Sequence, residues 1–279
     1  MSYICHLLKE TCTMTPSLSD IRKPVEADLD RFETLYSEAF SEVPISLEEV
    51  LSYVTSVKGK RLRPMLVLMT SRLFGEPCDA TMRTALFVEM IHTATLIHDD
   101  VMDGSEERRG RPSVHVCWDV PTAVLVGDFL LSKAMLLMAS LDDLPLLREM
   151  LDTALSMCEG ELMQRKRQET NDYQEIIKRK TALLFRACCV GGAISMGASK
   201  EQVARVGDFG LNLGMVFQLR DDILDDDDPH TTAMAKTLLP EYLEKTMAAL
   251  EAMTVSKDLN VELLESLRAL SLFCAERSH

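Results

Sequence analysis

Basic charge is scarce in this 279-residue chain: 30 lysines and arginines stand against 44 aspartates and glutamates, a formal net charge of −14. That balance argues against a nucleic-acid binder, which shows a basic surface. It also sets a puzzle, because so acidic a protein repels phosphorylated substrates unless cations intervene. Glycine (12) and proline (10) are few, and strand-like alternation bounded by hairpin turns is missing, so the fold expected is all-α. No repeat, low-complexity stretch or Pro/Gly/Ser-rich linker divides the chain. It reads as one domain over residues 21–279 behind a poorly organised extension over residues 1–20.

No CxxC pair and no regular cysteine ladder is present. Cys5, Cys12, Cys78, Cys117, Cys158, Cys188, Cys189 and Cys274 are scattered, several inside apolar runs, and read as reduced, buried thiols of a cytosolic protein without structural zinc. A secretory h-region is missing, since His6, Lys9 and Glu10 interrupt the early apolar residues. The most apolar stretch, Thr122 to Leu141, carries Asp128 and Lys133 and reads as a buried helix rather than a membrane span. The expectation is a cytoplasmic protein with no transmembrane segment.

What is present is helical periodicity. It predicts helices over Val25–Ser41, Ser46–Val57, Leu62–Phe74, Asp79–Val101, Pro121–Leu141 and Pro145–Gln168, then Tyr173–Ala193, Ser199–Asp225, Pro240–Met253 and Val261–Glu276. Ser199 with Gln202 and Ser46 with Glu49 are capping-box starts. Gly191, Gly192, Gly197, Gly207, Gly210 and Gly214 interrupt otherwise helical sequence, each costing about 1 kcal/mol against alanine. Close helix packing is the ordinary explanation, and room for a bulky apolar ligand the other.

Two DDxxD motifs carry the chemistry: Asp99-Asp100-Val101-Met102-Asp103 and Asp221-Asp222-Ile223-Leu224-Asp225. Each ends an apolar helix. Residues four apart share a face about 6 Å apart along the axis, which pairs Asp99 with Asp103 and Asp221 with Asp225. Clustered carboxylates at a helix C-terminus repel one another and oppose the macrodipole. Hard divalent cations remove both penalties, and magnesium favours carboxylates together with substrate phosphate oxygens. The bland alternative is a solvated acidic face; two such motifs, each closing an apolar helix, are hard to obtain by chance.

Thr95-Leu96-Ile97-His98-Asp99-Asp100 and Phe217-Gln218-Leu219-Arg220-Asp221-Asp222 resemble the trans-polyprenyl diphosphate synthase family of type I isoprenoid synthases, from about Pro24 onward. The resemblance implies a single-domain orthogonal bundle of long helices around a deep central cavity, usually as a homodimer. It implies several Mg2+ ions held by Asp99, Asp100, Asp103, Asp221, Asp222 and Asp225, with Asp99, Asp100, Asp103 and Lys180 catalytic. It also implies an allylic diphosphate and isopentenyl diphosphate as partners. Residues 21–279 would then be a polyprenyl synthase catalytic domain that elongates the allylic diphosphate head to tail.

Condensation needs a second anion pocket. In Gly59-Lys60-Arg61-Leu62-Arg63-Pro64, Lys60 and Arg63 lie three apart at a helix start, which also favours anions. Alone this is a surface cluster, and His92 alone is a satisfied core histidine. By resemblance, Lys60, Arg63, His92 and Arg109 bind isopentenyl diphosphate, while Arg108, Lys180, Thr181 and Gln218 contact the allylic substrate. Also by resemblance, the positions four and five before the first motif, Thr95 and Ala94, decide pocket depth. Both are small here. Phe87 lies about 10 Å deeper along the helix, which leaves room for roughly two more isoprene units, and Leu131 or Met135 provides an alternative floor. A product longer than farnesyl is expected.

After Asp225 the chain departs from the family pattern. Asp226-Asp227-Asp228-Pro229-His230 soon reaches Pro240, and most of a lysine-bearing insertion is missing, with Lys236 a candidate replacement. Two rival readings remain: a non-catalytic subunit of a heteromeric synthase, and a class I terpene cyclase. The second DDxxD and the isopentenyl residues weigh against the cyclase.

Overall fold

A computed structural model describes residues 17–41, 43–166, 172–253 and 260–277. Cys5, Cys12 and most of the expected N-terminal extension lie outside the described residues. The extension's last residues are organised: Ser17 caps α1 (Leu18–Arg22) in a capping box with Asp20. A short 3-10 turn leads into α2 (Glu26–Glu38), α3 (Ile45–Ser56), α4 (Leu62–Arg72) and α5 (Asp79–Asp103). Next come a two-stranded ribbon, β1 (Glu107–Arg108) antiparallel to β2 (Arg111–Pro112), and the single turn α6 (Val114–Cys117). The long helices α7 (Val120–Ala139) and α8 (Leu144–Arg165) follow, then α9 (Tyr173–Ile177). A π-helical turn at Lys178–Ala182 passes into α10 (Leu183–Ser195), α11 (Lys200–Asp225), α12 (Pro229–Met253) and α13 (Val261–Glu276). The all-α expectation holds, with the ribbon as an addition.

Helix α4 is the hub: Leu62 and every residue from Pro64 to Ser71 are buried, so it is sheathed by neighbours rather than amphipathic. Glycine sets how closely those neighbours approach. A Cβ on Gly192 of α10 would sit 2.5 Å from Val67 O and Thr70 Oγ1 of α4, and one on Gly214 of α11 2.6 Å from Ala182 Cα. Of the two readings of the glycine-rich segment, close packing is therefore what occurs.

Three differences from the sequence expectations have local causes. The helix expected over Tyr173–Ala193 is broken by the π turn, which no periodicity signals. The helix expected to begin at Pro240 begins at Pro229 and runs through Pro240. Asp228 caps it, accepting from Thr231 N at 3.0 Å, after Asp226 turns the chain at φ 48°. The extra aspartates thus make a turn and a cap, and the lysine-bearing insertion is replaced by that tight turn.

The third difference concerns α7. It packs one side on the core through Ala123, Val126, Leu130, Ala134 and Met138, but Val120, Val124, Leu125, Met135 and Leu136 are exposed. Only 33% of its most apolar window is buried, and by length and composition the helix is able to cross a membrane. The expectation of a buried helix therefore holds for one face only. Similarly, Cys188, Cys189 and Cys274 are buried as expected, whereas Cys78, Cys117 and Cys158 are exposed.

Candidate active site

Helix α5 delivers the whole first motif inside its last turn, and Gly104 ends it in the left-handed conformation at φ 65°. Helix α11 likewise carries the second motif through to Asp225. Asp99 and Asp221 come together on the wall of one cavity of about 590 Å³. Lys180, Thr181 and Gln218 line the same space, and its apolar lining includes Leu96, Met102, Val124, Met157, Leu162 and Phe217. A second cavity of similar volume, lined by Lys60, Arg63, Arg108 and Arg109, shares Arg63, His92, Leu96, Phe217 and Asp221 with the first. The two cavities thus meet along a mixed seam, in which the apolar Leu96 and Phe217 stand beside Arg63, His92 and Asp221.

Five of the motif aspartates stand in different surroundings. Asp100 is buried and accepts from Arg108 Nε at 2.9 Å and Nη2 at 2.5 Å. Asp103 lies 3.3 Å from Arg165 Nη2. Asp222 accepts from Gln218 Nε2 at 2.8 Å and from the Tyr173 hydroxyl, and Asp221 pairs with Arg277 Nη2 at 2.5 Å. Asp99 has no cationic nitrogen within 4 Å among the described residues, and burial pushes its carboxyl up to about 6 despite the field of Lys180. Burial raises Asp221 as well, with Arg277 opposing it.

Among the described residues no three acidic, histidine or cysteine side chains converge as a self-sufficient metal site. The donor set fits a shared one: the hard carboxylate oxygens of Asp99 and Asp221, both raised in pKa by burial, come from two helices onto the wall of one cavity. Magnesium characteristically takes one or two carboxylates and fills its remaining positions with phosphate and water.

The basic residues are positioned by the backbone. Arg109 and Gly110 form the two-residue turn of the ribbon, both at positive φ (54° and 74°), as a tight hairpin requires. Alternation then sends Arg108 to Asp100, while Arg109 stacks against Gly59, where a Cβ would come within 2.8 Å of its guanidinium. Arg61 at φ 54° starts α4 and is locked by Glu33 at 2.8 Å and Glu89 at 2.5 Å, which fixes the loop bearing Lys60 and Arg63. Arg63 lies over the Phe185 ring at 5.2 Å, its Nε buried without a partner among the described residues. Burial, reinforced by Arg63 and Arg109, holds the His92 imidazole well below its usual range and therefore neutral.

The π turn presents Lys180 and Thr181 on adjacent positions. Lys180 Nζ lies 2.6 Å from Glu161 Oε2 and donates to Gln164 Oε1 at 3.0 Å, and Thr181 Oγ1 donates to Gln218 Oε1 at 2.7 Å. Gly160 makes this approach possible, since a Cβ there would lie 2.6 Å from Lys180 N.

Of the pocket-depth residues, Thr95 lines the first cavity, the one that carries Asp99. Ala94 is fully buried in a separate cluster with Val50, Leu51, Ala123 and Val126, and Phe87 is fully buried in the main core. Leu131 packs between the two clusters, and Met135 is exposed. Lys236 is exposed and lines neither cavity. Arg277, Glu161 and Tyr173 are site residues that the sequence reading missed. None belongs to a motif, and only the fold brings them to the aspartates.

The sequence profile of the polyprenyl synthetase family matches residues 44–264. A short chain isoprenyl diphosphate synthase from Methanothermobacter thermautotrophicus is 39% identical over 199 residues, 67% of this chain and 61% of that protein. The chain thus spans less than two thirds of that relative's length. The octaprenyl diphosphate synthase of Haemophilus influenzae is 35% identical over 245 residues, 85% of this chain and 74% of that one. A solved polyprenyl synthase from Caulobacter crescentus, complexed with calcium and isoprenyl diphosphate, superposes with a TM-score of 0.84 at 27% identity, covering 96% of this chain and 100% of that one.

Proposed function

The chain belongs to the polyprenyl synthetase family, and on that premise we propose that it is a Mg2+-dependent trans-prenyltransferase condensing an allylic diphosphate with isopentenyl diphosphate. The observation that carries this reading is the meeting of Asp99 and Asp221 on one cavity that shares part of its wall with a second, arginine-lined one.

Magnesium, when bound, neutralises charge developing on the departing pyrophosphate. Asp99 and Asp103 from α5, with Asp221 and Asp225 from α11, would hold it. Asp100 and Asp222 keep their neighbours oriented through Arg108 and Gln218. Lys180, Thr181 and Gln218 bind the allylic diphosphate at the cavity mouth. Leu96, Met157, Leu162 and Phe217 surround the tail and exclude water from the allylic cation formed when the C1–O bond breaks. Lys60, Arg63 and Arg109, with neutral His92, hold the second diphosphate so that the isopentenyl double bond meets that cation across the shared seam. The proton then lost passes to the released pyrophosphate, so no protein base is needed.

Thr95 is the depth-setting position that the cavity geometry favours, with Ala94 one layer behind it. A small residue there supports a product longer than farnesyl. The exposed apolar side chains of α7 and α8, including Leu125, Leu136 and Leu155, support a homodimer. The unpaired thiols among the described residues support a reducing, cytoplasmic location.

Incubating the purified chain with Mg2+ and an allylic diphosphate, with and without isopentenyl diphosphate, tests the reading. Elongated diphosphates formed only when both are present are expected. Hydrocarbon or alcohol from the allylic substrate alone would instead mark a cyclase, and no turnover a subunit awaiting a partner.

A further inference from the structure

Asp221 opens the second motif and faces the cavity, yet its carboxylate is already engaged. Arg277, just past α13, donates from Nη2 to Asp221 Oδ1 at 2.5 Å and to Phe217 O at 3.2 Å. Its guanidinium lies 3.9 Å over the Phe217 ring, and its own carbonyl accepts from Arg220 Nε and Nη2 at 2.9 and 2.7 Å. The side chain is 9% exposed, against 41% for Arg108 on Asp100 and 40% for Arg165 on Asp103. Arg277 is thus the cation on a motif aspartate that is withdrawn from water. It also forms part of the basic cavity's wall, with a buried Nε that donates to no described residue.

An ion pair whose cation is withdrawn from water resists loss of its anion, because the cation is then left uncompensated. A divalent ion arriving at Asp221 must compete with a guanidinium held at three points, whereas at Asp99 no such competitor stands within 4 Å among the described residues.

We propose that Arg277 is an internal counter-ion that occupies Asp221 in the substrate-free protein and must be displaced before a divalent cation is held there. The inference rests on the metal-dependent reading above. It makes the two motifs unequal: the second takes its ion weakly while Arg277 stays on Asp221. An anion in the basic cavity draws the guanidinium away and strengthens cation binding at Asp221.

Mn2+ titration of the whole chain without substrate, followed by electron paramagnetic resonance, tests this. The site belonging to the second motif is the one lost in Asp221→Asn. Arg277→Gln should tighten that site about tenfold, and should change nothing in the Asp221→Asn background. Arg277→Met, which keeps the stem packed on Phe217, repeats the test if the glutamine variant unfolds early. A wild type that binds Mn2+ at this site as tightly as both Arg277 variants overturns the inference alone. A chain that binds no Mn2+ in any form overturns the metal reading and the inference with it.

Discussion

Arg108 reaches from the β-ribbon to donate through both Nε and Nη2 to a single oxygen of Asp100, at 2.9 and 2.5 Å. The middle aspartate of the first motif is therefore held by the protein itself, and the ribbon is tied to the end of α5. The pair joins a buried carboxylate to a half-exposed arginine, so its worth lies between those of surface and interior pairs. Arg108→Gln is expected to cost about 1–2 kcal/mol in urea unfolding. Turnover should fall as well, because Asp100 then swings free of its neighbours.

The Asp99 carboxyl ionises near 6 in the folded chain against an ordinary 3.8. The folded state thus binds the proton more tightly, and its penalty grows as pH rises from 3.8 to about 6. In metal-free protein, Asp99→Asn should raise the melting temperature at pH 7, and the gain should vanish near pH 4. Mg2+ requires the ionised form, so its affinity should weaken below pH 6, by up to about tenfold per pH unit for each proton displaced. Thermal melts and calorimetry across pH check both signs.

Thr95 faces the cavity, whereas Ala94 is packed among Val50, Leu51, Ala123 and Val126. Thr95→Phe should shorten the product with little loss of stability. Ala94→Phe overpacks a filled cluster and should cost about 1–3 kcal/mol. Product chromatography beside thermal unfolding separates the two effects.

Leu136 is 71% exposed and Leu155 60% exposed on the outer faces of α7 and α8. A charge at either position touches nothing inside the subunit. Leu136→Glu with Leu155→Glu should convert a dimer to a monomer in light scattering at unchanged helical content. A wild type that is already monomeric would remove the homodimer from the account.

The parts of the site that were legible in the sequence are those written locally. The spacing of Asp99 to Asp103 and of Asp221 to Asp225 fixes a helical face. Lys60 and Arg63 sit at a helix start. What was not legible depends on register between distant segments. Nothing near Lys180 announces a π turn, which packs closely against Gly160 of α8. Proline misled at residue 240, where tertiary packing carries α12 through a residue that ordinarily stops a helix. Arg277 lies 56 residues from its carboxylate partner, and only the packing of α13 on α11 brings the two together. The outer face of α7 shows the converse: composition suggested burial, and the single chain leaves half of it uncovered.

The central claim is that divalent ions held between the tips of α5 and α11 grip the allylic diphosphate. Single-turnover incorporation of labelled isopentenyl diphosphate, measured in Mg2+ and again after chelation, tests it most directly in the wild type, Asp99→Ala and Asp221→Ala. The account predicts turnover that vanishes with chelation, returns with added Mg2+, and falls by several orders of magnitude in either variant while the fold persists. Undiminished incorporation without metal, or in either alanine variant, would contradict it.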